Sequence, residues 1–162
     1  MIIVYESKTG FTKRYAEMLA AKTGMKVYRV NELSKIDKKE EIVFLGWMKV
    51  GRIQGLKKVR KFNVKAVCGS GTGRAGEPNA ETIISENKLE KIPFFYAQGG
   101  CLPLKDLKGT DRFMMSMFAK MLKKRKDKDE NLIKRLTTSK TALTASKRKI
   151  LSHPLIEWLN SR

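Results

Sequence analysis

The chain begins with MIIVYESKTGFT, Met1 to Thr12, and this segment indicates the architecture most clearly. Its first five residues are a continuous apolar run rich in β-branched side chains, which is typical of a strand buried on both faces of a parallel sheet. A polar loop containing Gly10 follows, and apolar residues then recur at helical spacing up to Lys22, before Gly24, where a helix would end. The segment therefore predicts a strand, a loop and a helix in succession.

Strand-like and helical segments continue to alternate along the chain. Four further runs have the composition of strands, namely Lys26 to Val30, Glu41 to Gly46, Val64 to Cys68 and Pro93 to Ala97. Helical spacing lies between them at Leu56 to Lys61 and at Ala80 to Leu89. This alternation predicts an α/β fold with a doubly wound, five-stranded parallel sheet.

Length and cysteine content limit the class of protein. At 162 residues the chain is long enough for one sizeable core and short for two ordinary domains, so a single domain over residues 1–162 is expected. No apolar run approaches the roughly 20 residues of a membrane-spanning helix. Cys68 and Cys101 form no C-x-x-C pair, which suits free thiols in the cytoplasm. The lone His153 has no cysteine or carboxylate at ligand spacing, so no metal site is expected.

The net charge of +19 is unusual for this size. It produces a field that attracts polyanions, anionic lipid headgroups or acidic partner proteins. The alternative is a set of solvated, lysine-rich faces without a dedicated partner. No recognised reader motif or basic-aromatic platform is present, so nucleic acid is not an expected partner.

A basic helical extension or insertion is predicted at residues 102–150, beyond the fifth strand. Within it, Asp111 to Lys124 has the spacing of an amphipathic helix and Glu130 to Leu136 that of a shorter one. The apolar stripe of the longer helix consists of Phe113, Met114, Met117, Phe118, Met121 and Leu122. Two interpretations remain open: the stripe packs against the sheet or the site loops, or the helix and the basic cluster at 123–128 lie on an anionic membrane, peripheral to its inner face.

The last predicted helix, Pro154 to Asn160, carries Trp158 and is expected to cover the sheet. Ligands of open parallel sheets bind beyond the carboxyl ends of the strands, where the strand order reverses. The loops after the first, third and fourth strands are therefore the candidate site.

The loop after the first strand reads SKTGFT and consists of Ser7, Lys8, Thr9, Gly10, Phe11 and Thr12. Its backbone N–H groups, its hydroxyls and the positive end of the following helix dipole make a cradle for a dianionic phosphate. Gly10 permits a close approach of ligand to backbone. The simpler alternative is a helix start capped by serine or threonine.

The pattern S/T-x-T-G-x-T after a first strand resembles the FMN phosphate loop of the flavodoxin family. The resemblance implies the strand order 2-1-3-4-5 and phosphate-binding roles for four residues, Ser7, Thr9, Gly10 and Thr12. Two segments, IVFLGWMKVGRIQG at Ile42 to Gly55 and FFYAQGG at Phe94 to Gly100, are similar to the flavodoxin-domain branch that includes quinone-dependent protoporphyrinogen oxidases.

By the same resemblance, two further loops would enclose the isoalloxazine ring of FMN. The loop after the third strand would contribute Gly46, Trp47, Met48, Lys49, Val50 and Gly51. The loop after the fourth strand would contribute Gly69, Ser70, Gly71, Thr72 and Gly73. Trp47 would stack on the ring, with core packing as the alternative. The second loop has no aromatic residue, which departs from the family's usual two stacking partners and implies a more open flavin face.

The predicted loops also depart from low-potential flavodoxins in charge, because they carry Lys49, Arg52 and Arg74 where acidic residues are usual. Fixed positive charge favours an anionic reduced cofactor and suits a quinone partner. Two functions stay open. The chain is a flavin-dependent oxidoreductase of the protoporphyrinogen-oxidase type that passes electrons to a quinone, or it is a non-enzymatic electron carrier that docks on protein redox partners. The sequence identifies no catalytic residue, since flavin chemistry resides in the cofactor.

Overall fold

The computed structural model describes residues 1–73, 79–99, 109, 112–113, 116–117, 120 and 154–161. The chain divides into two compact units, Met1–Gly99 with Arg148–Arg162, and Gly100–Lys147. In the second unit, Phe113 and Met117 of the predicted apolar stripe are helical and exposed, at 69% and 61%. The other stripe residues, the predicted helix at 130–136 and the side chains of Arg74, Cys101 and His153 lie outside the described residues.

The first unit is built on one sheet of six strands. In chain order the strands are β1 (Ile2–Glu6), β2 (Val27–Arg29), β3 (Glu41–Lys49), β4 (Arg52–Ile53), β5 (Asn63–Gly71) and β6 (Phe94–Gln98). Five of them are parallel in the order β2-β1-β3-β5-β6. This is the predicted order 2-1-3-4-5, and the prediction of a doubly wound α/β fold is confirmed. The short antiparallel strand β4 was not predicted.

Among the described residues of the first unit, four α-helices and one 3₁₀ helix connect the strands or follow them. They are α1 (Phe11–Thr23), the 3₁₀ helix (Val30–Lys35), α2 (Leu56–Val59), α3 (Ala80–Glu86) and α4 (Pro154–Asn160). The end of α1 at Gly24 is as predicted, because this glycine has a φ of 70° and its N–H donates to the Ala20 carbonyl. Among the described residues, no helix combines the length and the apolar composition that crossing a bilayer requires.

Helices cover both faces of the sheet. Neighbouring residues of a strand point to opposite faces, so Val43 and Phe44 of β3 are both fully buried in different core clusters. One face packs against the 3₁₀ helix, α2 and α3, and the other packs against α1 and α4. Leu155 and Ile156 of α4 are buried there, and the Trp158 ring lies 6.1 Å from the Phe95 ring. The final helix therefore covers the sheet as predicted.

The carboxyl end of β3 extends beyond its predicted end at Gly46 and forms a β-hairpin with β4. Lys49 pairs with Arg52, so Val50 and Gly51 are the two turn residues. Both have positive φ angles, 47° and 72°, as in the type I′ turns whose twist matches that of the strands they join. The segment predicted as the loop after the third strand is thus mostly strand and turn.

Gly46 is required by this hairpin. A Cβ built at Gly46 would lie 2.5 Å from Ile53 Cγ2 and 2.7 Å from the Gln54 carbonyl oxygen. Because Gln54 O is a backbone atom, a side chain at this position would force β4 away from β3. The glycine therefore allows the hairpin to lie against the end of the sheet.

Candidate functional site

The three predicted site loops lie at one edge of the sheet. β1, β3 and β5 are neighbours and run in the same direction. Glu6, the last residue of β1, is level with Gly46 of β3, which is level with Gly69 of β5. The residues that follow these three therefore share the carboxyl edge, where parallel sheets bind their ligands.

The loop between β1 and α1 carries an internal hydrogen bond, in which the Gly10 N–H donates to Ser7 Oγ at 3.1 Å. Gly10 is the N-cap of α1 and has a φ of 86° and a ψ of −14°, a left-handed conformation that glycine adopts without steric cost. No side chain of the described residues caps the start of α1. The alternative of a helix start capped by serine or threonine is therefore not realised.

The start of α1 is open to an anion. A Cβ built on Gly10 would meet no heavy atom of the described chain within 4 Å. The first turn of α1 contains no acidic residue. The first N–H groups of a helix have no partner within the helix, and they lie at the positive end of its dipole. Space, donors and positive potential thus coincide at Gly10.

The hydroxyls of this loop differ in exposure. Ser7 and Thr9 are half-buried at the edge of the sheet, and Phe11 is half-buried beside them. Thr12 is only 2% exposed. The Thr12 side chain therefore belongs to the interior, while its backbone N–H lies in the first turn of the helix.

Lys8 and Trp47 join the first loop to the third strand. Lys8 Nζ lies 5.4 Å from the centre of the Trp47 ring, a distance at which an ammonium group is attracted to the ring face. Trp47 is half-buried. Its carbonyl oxygen accepts from the Gln54 N–H at 2.9 Å, and it pairs with Ser70 of β5 on the other side. The backbone of Trp47 is thus held between two strands.

The remaining hairpin residues change from packed to exposed along the chain. Met48 packs against the core, and a Cβ built on Gly69 would lie 2.7 Å from Met48 Sδ. Lys49 is exposed, and Val50 at the turn is 82% exposed. Gly51 completes the turn. Of the predicted ring-side residues in this hairpin, Trp47 is thus half-buried, whereas Lys49 and Val50 expose their side chains to solvent.

The predicted loop after the fourth strand is also partly strand, because β5 continues to Gly71. Ser70 is buried at 6% exposure, and Thr72 and Gly73 follow the strand. The Tyr96 hydroxyl donates to the Gly73 carbonyl at 2.9 Å, and a Cβ built on Gly71 would lie 2.9 Å from that hydroxyl oxygen. An aromatic side chain from β6 thus supports a loop that has none of its own.

The prediction omitted Tyr96. The signal for it was the register, because Tyr96 pairs with Gly69 in the neighbouring strand.

Asn87 ties the β3–β4 hairpin to the end of α3. Asn87 is buried, at 6% exposure, and its Oδ1 accepts from the Ile53 N–H at 2.9 Å. Nδ2 donates to the carbonyls of Gly51 and Ile83, both at 2.8 Å. The sequence prediction extended this helix to Leu89 and so missed the residue. An asparagine near a helix end is the local signal that was available.

The site edge carries positive charge. The charged residues of the three segments 7–12, 46–52 and 69–73 are Lys8, Lys49 and Arg52. Arg52 contacts Glu86 through an ion pair of 3.9 Å and a hydrogen bond to its backbone carbonyl. Glu6, the nearest strand-end carboxylate, lies 3.8 Å from Arg29. The other two cations of these segments are Lys8, which lies against the Trp47 ring, and Lys49, which is exposed.

Cys68 lies just before Gly69 but does not supply a nucleophile. Burial raises the pKa of the Cys68 thiol to about 12, so the group stays protonated at neutral pH. Its side chain belongs to the core cluster under α1 and α4.

Comparisons with known proteins agree with this geometry. A family model described as a flavodoxin domain matches residues 2–129, which is most of the chain. A comparison with curated protein sequences found no match. The matched region includes the loop before α1, the β3–β4 hairpin and the end of β5. The chain therefore belongs to the flavodoxin-domain family.

Proposed function

We propose that this protein binds FMN at the carboxyl edge of the sheet and functions in electron transfer. Flavodoxin domains typically bind a flavin, and the family membership supports electron transfer in general. The observation that carries the proposal is the open start of α1 at Gly10, next to the Lys8–Trp47 pair. A phosphate and an aromatic ring have suitable partners there, side by side.

The residues present fit the phosphate group of FMN. The left-handed Gly10 leaves room for an anion above the loop, and the first turn of α1 adds no carboxylate that would repel it. Ser7 and Thr9, both half-buried, would donate hydroxyl hydrogens. Ser7 Oγ accepts from the Gly10 N–H, which leaves its own hydrogen for a ligand. Thr12 would act through its backbone N–H, since its side chain is buried.

The ring would lie between Trp47 and the segment from Gly69 to Gly73. Trp47 would supply stacking area on a backbone held by two strands, and Lys8 would hold the indole from the phosphate side. The opposite segment has no aromatic side chain, so one face of the ring would stay accessible to a partner. Bound FMN supplies the electron-accepting chemistry, and the protein orients the ring and sets its electrostatic surroundings.

Titration of the flavin-free protein with FMN and with riboflavin tests the proposal. Riboflavin has the ring but no phosphate. We expect Thr9→Val to weaken FMN by roughly tenfold or more, because a hydrogen bond to a charged group contributes about 1.5–3 kcal/mol, and to leave riboflavin unchanged. Thr12→Val should change FMN affinity little, because the Thr12 side chain is buried, valine has a similar shape and the backbone N–H is kept.

The control for these variants lies at the other end of α1. Thr23→Val removes a hydroxyl that donates to the Leu19 carbonyl at 2.9 Å, far along the helix from Gly10. It should bind FMN like the wild-type protein. Absence of binding of either flavin to the wild-type protein would refute the proposed function.

A more specific proposal concerns the electron acceptor. We propose a flavin-dependent oxidoreductase of the protoporphyrinogen-oxidase type that moves electron pairs, with their protons, from a porphyrinogen to a quinone, which leaves as the quinol. The positive edge with Lys8 and Lys49 and the open side at Gly69 to Gly73 support it. Lys49→Gln should lower the midpoint potential of the bound flavin. A midpoint that does not move would count against the role of charge.

The alternative is a carrier that docks on a protein redox partner. Anaerobic assays separate the two. An enzyme should reduce a soluble quinone at the expense of a porphyrinogen in multiple turnovers, whereas a carrier should exchange electrons only with a reductase. No turnover with any porphyrinogen would favour the carrier.

Peripheral contact with an anionic membrane is a proposal for the basic second unit. Phe113 and Met117 are four residues apart in a helix and are 69% and 61% exposed, and a basic run follows at 123–128. Exposed apolar side chains beside cations suit a lipid surface. We expect sedimentation with anionic vesicles that decreases with salt and is lost in the Phe113→Ser, Met117→Ser double variant. Equal binding to neutral vesicles would contradict this.

A further inference from the structure

The Asn87 side chain uses its hydrogen-bonding groups in one specific orientation. Its carbonyl oxygen accepts from the Ile53 N–H, and both hydrogens of its amide are donated, to Gly51 O and Ile83 O. A flipped amide would place a donor against an N–H and an acceptor against two carbonyls. Asp and Leu have side chains of similar shape to Asn87. Neither of them supplies one acceptor and two donors at these positions.

The hairpin that Asn87 holds has little support of its own. β4 contains only two residues, and a two-stranded hairpin is marginally stable alone. Its turn places the β-branched Val50 in a left-handed conformation, which costs free energy. Ile53 of the hairpin is buried in the same apolar cluster as Ile83 of α3, and Arg52 makes an exposed ion pair and a hydrogen bond with Glu86. Asn87 adds buried side-chain hydrogen bonds that fix the hairpin in one orientation.

The Asn87 anchor is itself fixed from the opposite side. The Arg60 guanidinium, just after α2, donates to the backbone carbonyl of Asn87 and, at 3.4 Å, to that of Lys88. Lys88 has a positive φ of 49°, so the chain turns away from α3 directly after Asn87. The position of the Asn87 side chain is therefore determined by α2 and α3 together.

The hairpin connects this anchor to the proposed ring site. Gln54 follows Ile53 and donates its N–H to the Trp47 carbonyl at 2.9 Å. Asn87 thus reaches Trp47 through two hydrogen bonds and one peptide unit. Trp47 is also the residue against which Lys8 lies.

We propose that Asn87 is a positioning residue that holds the β3–β4 hairpin, and with it Trp47, in place for the flavin ring. This inference rests on the proposed function. The phosphate loop meets the hairpin through the Lys8–Trp47 contact, but the bond from the Gly10 N–H to Ser7 Oγ lies within the loop itself. Asn87 therefore acts chiefly on ring binding.

Loss of Asn87 lowers the fraction of molecules in which the hairpin is in place. The apparent dissociation constant rises in inverse proportion to that fraction, so a hairpin placed about one tenth of the time weakens binding about tenfold. Because the ring is common to both ligands, FMN and riboflavin weaken by the same factor. This distinguishes Asn87 from Thr9, whose replacement affects FMN alone.

The test uses Asn87→Ala, with Asn79→Ala as the matched control. Asn79 is the N-cap of the same helix, and its side chain accepts from the Thr82 N–H at 3.1 Å, so the control removes an asparagine at the other end of α3 that has no described hydrogen bond to the hairpin. Dissociation constants are measured for both flavins. Amide hydrogen exchange of residues 50–54 is measured in the flavin-free protein, which reports on the hairpin without any ligand.

For Asn87→Ala we expect faster exchange in the hairpin and about tenfold weaker binding of both flavins. Asn79→Ala should stay within about twofold of wild type in both measurements. Unchanged hairpin exchange, unchanged flavin binding, or equal effects of the two variants would each overturn the proposal. If the alanine variant does not fold, the same measurements are made on Asn87→Ser, which keeps a small polar side chain, and compared with Asn79→Ala in the same way.

Failure of the proposed function is visible before any variant is measured. If the wild-type protein binds neither flavin, the FMN site and this inference fall together. If the wild-type protein binds and Asn87→Ala binds equally well, the FMN site stands and the role of Asn87 is refuted.

Discussion

Two glycine substitutions at the same level of the sheet should differ sharply in cost. Gly46 and Gly69 pair across β3 and β5, and neither has a positive φ. A Cβ at position 46 would lie 2.7 Å from the backbone oxygen of Gln54, which moves only if β4 moves. A Cβ at position 69 would lie 2.7 Å from Met48 Sδ, the far part of a flexible side chain. The two alanine variants therefore compare a rigid neighbour with an adaptable one.

The expected magnitudes follow from these contacts. Overpacking costs about 1–3 kcal/mol, and we place Gly46→Ala at the upper end because backbone must shift. Replacing glycine by alanine regains roughly 0.4–1 kcal/mol by restricting the unfolded chain. The net loss in unfolding free energy is about 2 kcal/mol for Gly46→Ala. For Gly69→Ala, an off-rotamer methionine costs about 0.5–1.5 kcal/mol, so the net change stays within about 1 kcal/mol.

Urea unfolding followed by tryptophan fluorescence and by circular dichroism measures both variants. The midpoint should fall clearly for Gly46→Ala with an unchanged slope, and a thermal midpoint lower by about 4–8 °C should accompany it. Equal midpoints for the two variants, or a larger loss for Gly69→Ala, would show that β4 does not lie over Gly46 as described.

Three further outcomes are expected. Val50→Asn should raise stability by roughly 1 kcal/mol in thermal melts, because Asn-Gly is the favoured type I′ pair and Val50 is strained and exposed; a lower midpoint would refute this. Leu155→Ala should cost about 2–5 kcal/mol in urea, and a loss below 1 kcal/mol would show that α4 does not pack on the sheet. Burial raises the pKa of the Cys68 thiol to about 12, so in a Cys101→Ser background this thiol contributes stability that is present below pH 9 and lost as pH rises toward 12. Over that window the free energy of unfolding should fall by about 1.4 kcal/mol per pH unit, and a Cys68→Ala variant should lack this slope.

Sequence patterns predicted those parts of the fold that are determined by neighbouring residues in the chain. An apolar, β-branched run made β1 and β3 recognisable, and Gly24 marked the end of α1. Strand order followed from a family resemblance carried by six consecutive residues. The hairpin strand β4 escaped prediction because it has two residues and because its turn uses Val50 where asparagine is usual.

The same distinction applies to the site. Its three segments were predicted because strand ends of a parallel sheet meet at one edge whatever their side chains are. The Lys8–Trp47 contact and the supports that Tyr96 and Asn87 give to Gly73 and Gly51 join residues that are 23 or more positions apart in the chain. No spacing rule within one segment encodes such contacts, and a register prediction for all strands would be needed to find them.

The two sides of the proposed FMN site are therefore built in different ways. The phosphate side consists of one short loop and the helix that follows it, and its donors are mainly backbone groups that any sequence with Gly10 in a left-handed conformation presents. The ring side is assembled from β3, β4, β5 and the end of α3, and it meets the phosphate loop through the contact of Trp47 with Lys8. Because the partner of a flavin approaches the ring and not the phosphate, selection for a particular electron donor or acceptor would act on the hairpin and on Asn87. The hairpin and its anchor are thus where this protein's own electron-transfer partner would be specified.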